Sequence, residues 1–425
     1  MRRQRLPLKM PKINGFKQSY TRARNPQKQS HLAQRGTSGA RFADCFKNMH
    51  ITGIKIRNFR NISEAELCFD KDLNIIVGRN AQGKTNLCEA ISVCLGQSFR
   101  KARFSQFVPA RDPKSEVGIK LYFRDDSSDR ENIIDYTISK TGILSVNYNG
   151  IKMKDAAELY GVLKYVVFIP EHLNLIKGSP DIRRDYLDDV ALMQTKTHLK
   201  KLSRYNKGLK QRNIILSNNN ADEMFLRAAL EPWNAVLAEE GINVTFGRLK
   251  YFSFLKKCAA SLYSDLTGGA ESLDMEYISS IFKTEGINFD DVDTLYKKYI
   301  ASLEKNLSAE MKLRYTLSGV HRDDVNFYVN GLGARDFASQ GQLRSAALAL
   351  KLSEAEIIRR KNKTPPVIIL DDILSELDST RREYILNHIE KSQVFITCCN
   401  INDLSLLSGG KAWQAENGTF TELDL

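Results

Sequence analysis

The sequence predicts an α/β fold in which one strand-and-helix domain is split by a long helical insertion. Two strand-flanked motifs and the segment between them carry that reading. Gly78-Arg79-Asn80-Ala81-Gln82-Gly83-Lys84-Thr85 fits G-x-x-x-x-G-K-[ST], with the apolar run Leu73-Asn74-Ile75-Ile76-Val77 before it. A helical pattern from Thr85 to Leu95 follows, with Leu87, Ile91 and Leu95 on one face. Far downstream, Val367-Ile368-Ile369-Leu370-Asp371-Asp372 is an apolar run ending in two carboxylates, the pattern of a strand buried on both faces. Between Lys84 and Asp371 lies a long, largely helical stretch, so the two motifs belong to one domain interrupted by an insert.

From the amino end, residues 1–48 hold twelve Lys or Arg and a single acid, Asp44, and so carry +11 of the chain's net +13. They are polar and lack apolar periodicity, which reads as a disordered extension. It is either a basic arm for nucleic acid, a spacer, or upstream sequence absent from the native protein, since Met49 opens a strand at once. The remainder is nearly neutral, so any polyanion contact must come from local patches. Ile54, Ile56, Leu67 and Phe69 mark two short strands ahead of the glycine-rich loop. Val117-Ile119-Leu121-Phe123, Ile134-Tyr136-Ile138 and Val146-Tyr148 mark antiparallel strands, the last entering an Asn149-Gly150 hairpin turn. Residues 171–312 read as mostly helical. Ser179-Pro180 is a helix start, and Leu199, Leu202, Tyr205, Leu209 and then Leu226, Leu230, Val236, Leu237 keep helical spacing. Strand pattern returns at Val325-Phe327-Val329 before Asn330-Gly331. A helix runs through Ala346 to Ile358, and Val394-Phe395-Ile396-Thr397 is a further buried strand.

Composition excludes several classes. The chain of 425 residues is 42% hydrophobic, ordinary for a globular protein. No apolar run reaches the roughly 18 residues of a membrane span, and no secretory signal opens the chain. The seven cysteines show no C-x-x-C pair and no metal spacing with His, as expected of a reducing cytoplasm.

The chemistry follows from residue types. Gly78 and Gly83 let the backbone curl with N–H groups inward, and the following helix N-terminus adds partial positive charge. Lys84 is placed for the β- and γ-phosphates of a nucleotide and Thr85 for Mg²⁺. Asp371 suits the same Mg²⁺, and Asp372 is placed to orient or deprotonate a water. Ser339-Gln340-Gly341-Gln342 opens the helix before the Asp371 strand and forms a second anion site. One helix N-terminus already serves Lys84, so this one could serve a nucleotide bound by a second copy. The plain alternative is a capped helix start. Lys196, Lys200, Lys201, Arg204, Lys207, Lys210 and Arg212 fall within 17 positions without an acid. They are either a phosphate-binding face or a solvated one. Lys177, Arg183 and Arg184 are further basic candidates for DNA or for a dimer partner. No base-reading motif is present, so backbone or shape recognition is expected.

The order of these motifs resembles the ABC-type ATPase heads of the SMC and Rad50 class, and more finely the RecF family of bacterial recombination-repair proteins. Asn58-Phe59-Arg60-Asn61, Pro170-Glu171-His172-Leu173, Lys177-Gly178-Ser179-Pro180 and Arg183-Arg184 are similar to its signatures. So are Gly319-Val320-His321-Arg322-Asp323-Asp324, Ser339 to Arg344 and Leu370 to Asp378. The resemblance runs from Met49 to about Leu425. It implies an ABC-type head (49–170 and 313–425) with an inserted helical arm domain (171–312). It implies ATP and Mg²⁺ sandwiched in a homodimer, with Lys84, Thr85 and neighbouring Asn86 acting from one subunit and Ser339 to Gln342 from the other. Arg60 would be a further phosphate contact. The implied role is ATP-dependent binding of gapped or junction DNA in the cytoplasm, with slow hydrolysis, alongside the mediator proteins RecR and RecO. An ATP-gated scaffold with incidental DNA contact is the alternative. Three positions depart from the pattern: Val320 where the family usually has Pro, Thr397 where transporter heads carry a switch histidine, and Asp372 where many heads have Glu. Gln106 is a candidate for the glutamine that such heads place near the nucleotide.

Overall fold

The computed structural model describes residues 49–96, 106–109, 115–139, 141–218, 223–389, 391–400 and 409–424. The extension read from residues 1–48 lies outside them. Among the described residues β1 (Met49–Phe59) and β2 (Ile62–Cys68) come first, then β3 (Leu73–Val77), the loop, and α1 (Lys84–Cys94). β4 (Val117–Asp125), β5 (Arg130–Ile138), β6 (Leu144–Tyr148) and β7 (Ile151–Lys152) follow, then β8 (Tyr165–Phe168). A short α2 (Asn174–Lys177) leads into α3 (Pro180–Gln194), α4 (Lys196–Leu216) and the 44-residue α5 (Glu223–Leu266). β9 (Leu273–Ile278) and α6 (Val292–Leu313) come next, then β10 (Asp324–Val329), β11 (Leu332–Gly333), α7 (Ala334–Phe337) and α8 (Gln340–Asn362). β12 (Val367–Asp371), α9 (Ser379–Ile389), β13 (Val394–Cys398), β14 (Lys411–Glu416) and β15 (Thr419–Leu423) finish the chain.

Two large sheets form. The order β2-β1-β4-β5-β6-β7 is antiparallel throughout. The order β15-β14-β3-β13-β12-β8 is parallel except for the β14–β15 hairpin. The sequences show why. β4 alternates buried Val117, Ile119, Leu121 and Phe123 with more exposed residues, as a sheet with one wet face requires. β12 and β13 are buried at every position, because helices cover both faces of a parallel sheet. One apolar core joins both sheets to α1, α8 and the C-terminal half of α5.

The segment expected to be mostly helical is so, but between α5 and α6 it carries turns and the strand β9. There Leu273, Met275 and Tyr277 are buried while Asp274, Glu276 and Ile278 are not. That period of two is a strand's, and β9 pairs antiparallel with β10. Residues 219–222 separate α4 from α5 and lie outside the described positions. The far part of the helical segment has its own core of Tyr205, Leu237, Ile242, Tyr299, Leu303 and Val320. Val320, standing where a proline was expected, is buried in that cluster.

Buried ions hold these helices in register. Arg212 is fully buried, with Nη2 2.7 Å from Glu310 Oε2, Nη1 donating to Thr316 Oγ1 at 2.8 Å and Nε to Asn234 Oδ1 at 2.7 Å. The grouping of Arg212 with the basic face of α4 is thus corrected: at its position the helix turns inward, and the charge is neutralised inside. Arg183 and Arg184 are likewise structural. Arg183 makes a bidentate pair with Asp324 and caps the carbonyls of Ile176 and Gly178. Arg184 donates to Asp323 O at 2.7 Å and pairs with Asp181. Arg248 bridges Asp188 and Val320 O. Burial alone would raise the Asp188 carboxyl, but Arg248 and His198 outweigh it and hold it down to about 2. The Gly319–Asp324 tract is therefore the clasp between α3, α5 and β10.

Removing one partner from a buried pair leaves an uncompensated charge, at a cost of about 3–5 kcal/mol. Arg212→Ala should lower stability by that amount in denaturant unfolding. Lys207→Ala, from the exposed side of the same helix, should stay within about 0.5 kcal/mol of wild type.

Candidate functional site

Parallel pairing creates the site. β13 lies between β3 and β12, and the register puts Thr397 level with both Ile76 and Asp371. The carboxyl ends of the three strands meet at one edge, where open α/β sheets receive ligands. As the chain leaves β3, Gly78 N–H donates to Cys398 O at 3.1 Å. Gly78 has no room for a side chain, since a Cβ there would sit 2.5 Å from Ala415 O on β14. Gly83 takes φ +113°, a left-handed backbone, at the start of α1. The first amides of α1 have no partner within the helix and point out of its start.

Around this loop the expected residues converge. Lys84 is buried, its Nζ donating to Gly78 O at 2.5 Å and Arg79 O at 3.0 Å. Thr85 Oγ1 donates to Asp371 Oδ1 at 3.0 Å, bridging positions that the sequence holds far apart. Asn80, Ala81, Gln82, Gly83, Lys84, Thr85, Asn86 and Asp372 line one cavity, while Arg79 is exposed beside it. The two consecutive aspartates part company because Asp372 adopts φ 52°. Asp371 stays buried against Thr85 and Thr397, whereas Asp372 reaches the cavity and accepts from Ser375 Oγ at 3.1 Å. A hydroxyl next to a buried carboxylate at the foot of a phosphate-sized loop suits Mg²⁺, which takes few protein ligands and completes its shell with phosphate and water.

Several further residues support the site. Thr397 Oγ1 donates to Asp371 Oδ1 at 2.8 Å and accepts the Asp372 N–H at 2.9 Å. It thereby sets both carboxylates from the position expected to matter only for lacking a histidine. Asn61 accepts from Asn86 Nδ2 at 2.7 Å. The β14–β15 turn leans on the loop from outside: Asn417 N–H donates to Gln82 Oε1 at 2.7 Å and Gly418 N–H to Gln82 O at 2.9 Å. Asn417-Gly418 is a hairpin signal of the kind used at Asn149-Gly150, and it was legible. Exposed Cys399 places Sγ 3.8 Å from Lys84 Nζ.

Arg60 departs from expectation. Its Nε lies 2.5 Å from Glu89 Oε2, a wholly buried carboxylate on α1, and its guanidinium stands over the Phe107 ring at 5.7 Å. A buried carboxylate needs a cation, so in this structure Arg60 neutralises the α1 helix rather than standing free for a phosphate. Gln106, beside Phe107, is exposed.

Ser339 to Gln342 are elsewhere. Ser339 caps α8 through a reciprocal capping box: Gln342 N–H donates to Ser339 Oγ at 3.3 Å, and Ser339 N–H to Gln342 Oε1 at 2.8 Å. Ser339 and Gln340 are exposed, Gly341 and Gln342 half-buried, and none of the four lines the cavity of Lys84.

On α4, Lys196, Lys200, Arg204, Lys207 and Lys210 are exposed along one stripe. Lys201 is half-buried, its Nζ on Asn243 Oδ1 at 2.7 Å, and burial lowers it. Arg204 pairs with buried Glu240 at 3.0 Å, which offsets part of its charge. Near the base of the stripe, Lys361 Nζ donates to Gln194 O at 3.1 Å and Lys164 Nζ to Met193 O. Burial first, and then Lys361 and Lys196, push the Lys164 ammonium down to about 8. The positive face is therefore wider than α4 alone. No helix among the described residues is long and apolar enough to cross a membrane.

A Gly418 Cβ would lie 2.2 Å from Asn61 O at a φ of +82°. Gly418→Ala should therefore displace the hairpin from Gln82, costing about 1–3 kcal/mol of stability and weakening nucleotide affinity, as titration with a fluorescent ATP analogue would read.

The chain matches the family model described as RecF/RecN/SMC N terminal domain over residues 50–409. It is 35% identical over 373 residues to the DNA replication and repair protein RecF of Clostridium perfringens, covering 87% of this chain and 99% of that protein. Against RecF of Clostridium kluyveri it is 37% identical over 358 residues, covering 84% and 94%. A solved structure of the recombination mediator protein RecF-ATP in the RecFOR pathway superposes with a TM-score of 0.81 at 32% identity, covering 90% of this chain and all of that one. The Smc head domain of Pyrococcus furiosus, at 16% identity and a TM-score of 0.51, shares the fold. The head is thus an ABC-type ATPase fold, and the chain belongs to the RecF family of DNA replication and repair proteins.

Proposed function

We propose that this member of the RecF family binds ATP–Mg²⁺ at the loop of Lys84 and closes into a homodimer that holds DNA, with hydrolysis as the release. The observation that carries this is a separation. Lys84, Thr85, Asp371 and Asp372 share one edge of the parallel sheet, whereas the Ser339 helix start is solvent-facing and outside their cavity. An anion site presented outward is suited to the nucleotide of a second copy. In this reading Lys84 and the amides from Asn80 to Asn86 cradle the β- and γ-phosphates, while Thr85 and Asp371 hold Mg²⁺. Mg²⁺ supplies charge neutralisation between the phosphates. Asp372 orients a water in line with the γ-phosphorus and accepts its proton as the bond to ADP breaks. Ser339, Gln340, Gly341 and Gln342 approach the γ-phosphate from the partner. Arg60 joins only if the arriving charge draws it from Glu89.

The domain division proposed is a head of residues 49–170 and 313–425 with an arm of 171–312. The arm's basic face, Lys196, Lys200, Lys201, Arg204 and Lys207, is the proposed contact for DNA phosphates at gaps or junctions, and Lys164 and Lys361 extend it. Recognition of backbone alone makes affinity strongly salt-dependent. Cooperation with RecR and RecO in loading recombinase belongs to the same proposal and rests on the RecFOR context of the solved relative.

Light scattering with and without ATP–Mg²⁺, then with duplex DNA, tests the scheme. Lys84→Ala should remain monomeric with ATP, and ATP-induced dimers of that variant would remove Lys84 from the phosphate site. Asp372→Asn should slow turnover by at least about 100-fold while keeping the ATP dimer on DNA. Faster release of DNA than wild type would overturn the clamp. Dimers indifferent to DNA would point to a scaffold instead.

A further inference from the structure

The trans role of Ser339 leaves open how events on the arm reach it, and one carboxylate outside every motif makes that connection. Glu271 lies between the end of α5 and β9. Its Oε2 accepts from Tyr263 OH in the last turns of α5 at 2.6 Å, and its Oε1 accepts from Gln342 Nε2 at 2.8 Å. Gln342 is the other half of the Ser339 capping box, so its amide is held at both ends: the NH₂ by Glu271, the oxygen by Ser339 N–H. With the amide so fixed, Gln342 N–H is aligned on Ser339 Oγ. Tyr384 OH on α9 donates to Asp265 Oδ2 at 3.2 Å, so the same end of α5 also touches the helix that follows Glu376-Leu377-Asp378.

The other part of α5 carries the arm. Lys201 and Arg204 of the basic stripe bond to Asn243 and Glu240 of α5. From Asn243 to Tyr263 is a single unbroken helix, about 30 Å at 1.5 Å per residue. A continuous helix moves as a rod, and hydrogen bonds and an ion pair join the middle of α5 to the basic face while its C-terminal end is joined through Glu271 to the capping box.

We infer that Glu271 is a positioning residue for ATP turnover: it fixes Gln342 and Ser339 for the partner's γ-phosphate and joins them to the arm helix, so that nucleic acid on α4 registers at the signature serine. The inference rests on the reading that Ser339 acts in trans. It assigns Glu271 no contact with nucleotide.

The test compares full-length Glu271→Ala, Glu271→Gln and Tyr263→Phe with wild type. Three readouts are used: binding of a fluorescent ATP analogue to the monomer, the ATP-dependent dimerisation constant, and ATP turnover with and without duplex DNA. Glu271→Ala should bind nucleotide as wild type does, dimerise about tenfold more weakly, and lose the response of turnover to DNA. Glu271→Gln should restore both, because its amide oxygen still accepts from Gln342 and its NH₂ can donate to the Tyr263 oxygen. Tyr263→Phe, which leaves Glu271 on Gln342, should keep dimerisation and lose only the DNA response. A DNA response retained in both Glu271→Ala and Tyr263→Phe overturns the inference, as does a Glu271→Gln variant as defective as Glu271→Ala. If wild type fails to dimerise with ATP, the trans reading falls and takes this inference with it. If wild type dimerises and Glu271→Ala does so equally well, only the inference falls.

Discussion

Asp371 is shared between two hydroxyls, Thr85 on the loop helix and Thr397 on the neighbouring strand, and the cavity edge of the parallel sheet is organised around that junction. A carboxylate this deeply buried has to be compensated, because an unsatisfied one costs several kcal/mol. The two hydroxyl bonds do so, and in doing so pin the glycine-rich loop to β12. Thr397 also receives the Asp372 amide, which helps to hold that residue in its left-handed backbone and turn its carboxylate toward the cavity. One threonine side chain therefore separates two adjacent acids into a buried partner of Thr85 and a carboxylate that lines the cavity.

That junction needs the parallel pairing of β3, β13 and β12, and the pairing needs the rest of the head. Gln393 is buried where β13 begins and bonds Ile51 of the antiparallel sheet through both its oxygen and its nitrogen, so the two sheets are fixed relative to one another at that end. The β14–β15 hairpin closes the opposite side against Gln82. The loop is consequently framed by strands on both flanks before any phosphate arrives, which is the preorganisation that makes backbone amides effective ligands.

Polar groups govern the helical segment as well. Arg183, Arg212 and Arg248 are all buried and each is bonded at several nitrogens. Such pairs add little net stability relative to an apolar core but are costly to break. They hold α3, α4, α5 and α6 in one register.

What the sequence determined by itself is what local chemistry determines. The loop from Gly78 to Thr85, the apolar run ending in Asp371-Asp372, the Ser339 cap and the hairpin turns are all short patterns whose geometry follows from their own residues. The motifs in order were enough to see the family. Local chemistry does not reveal which distant polar atom a side chain will meet. Arg212 and Lys207 look alike in the helical pattern, yet one is buried on Glu310 and the other is in water. Arg60 reads as a phosphate ligand, and nothing in its own motif announces that Glu89 lies beneath it. β9 is hidden in the helical stretch because its partner, β10, lies beyond the helix that follows. Glu271 and Thr397 carry no motif of their own, and their importance comes from the strands and helices that end beside them. Periodicity and turn chemistry are written in neighbouring residues, whereas ion pairing and the support of a site depend on contacts that exist only once the sheets and the long helix have packed.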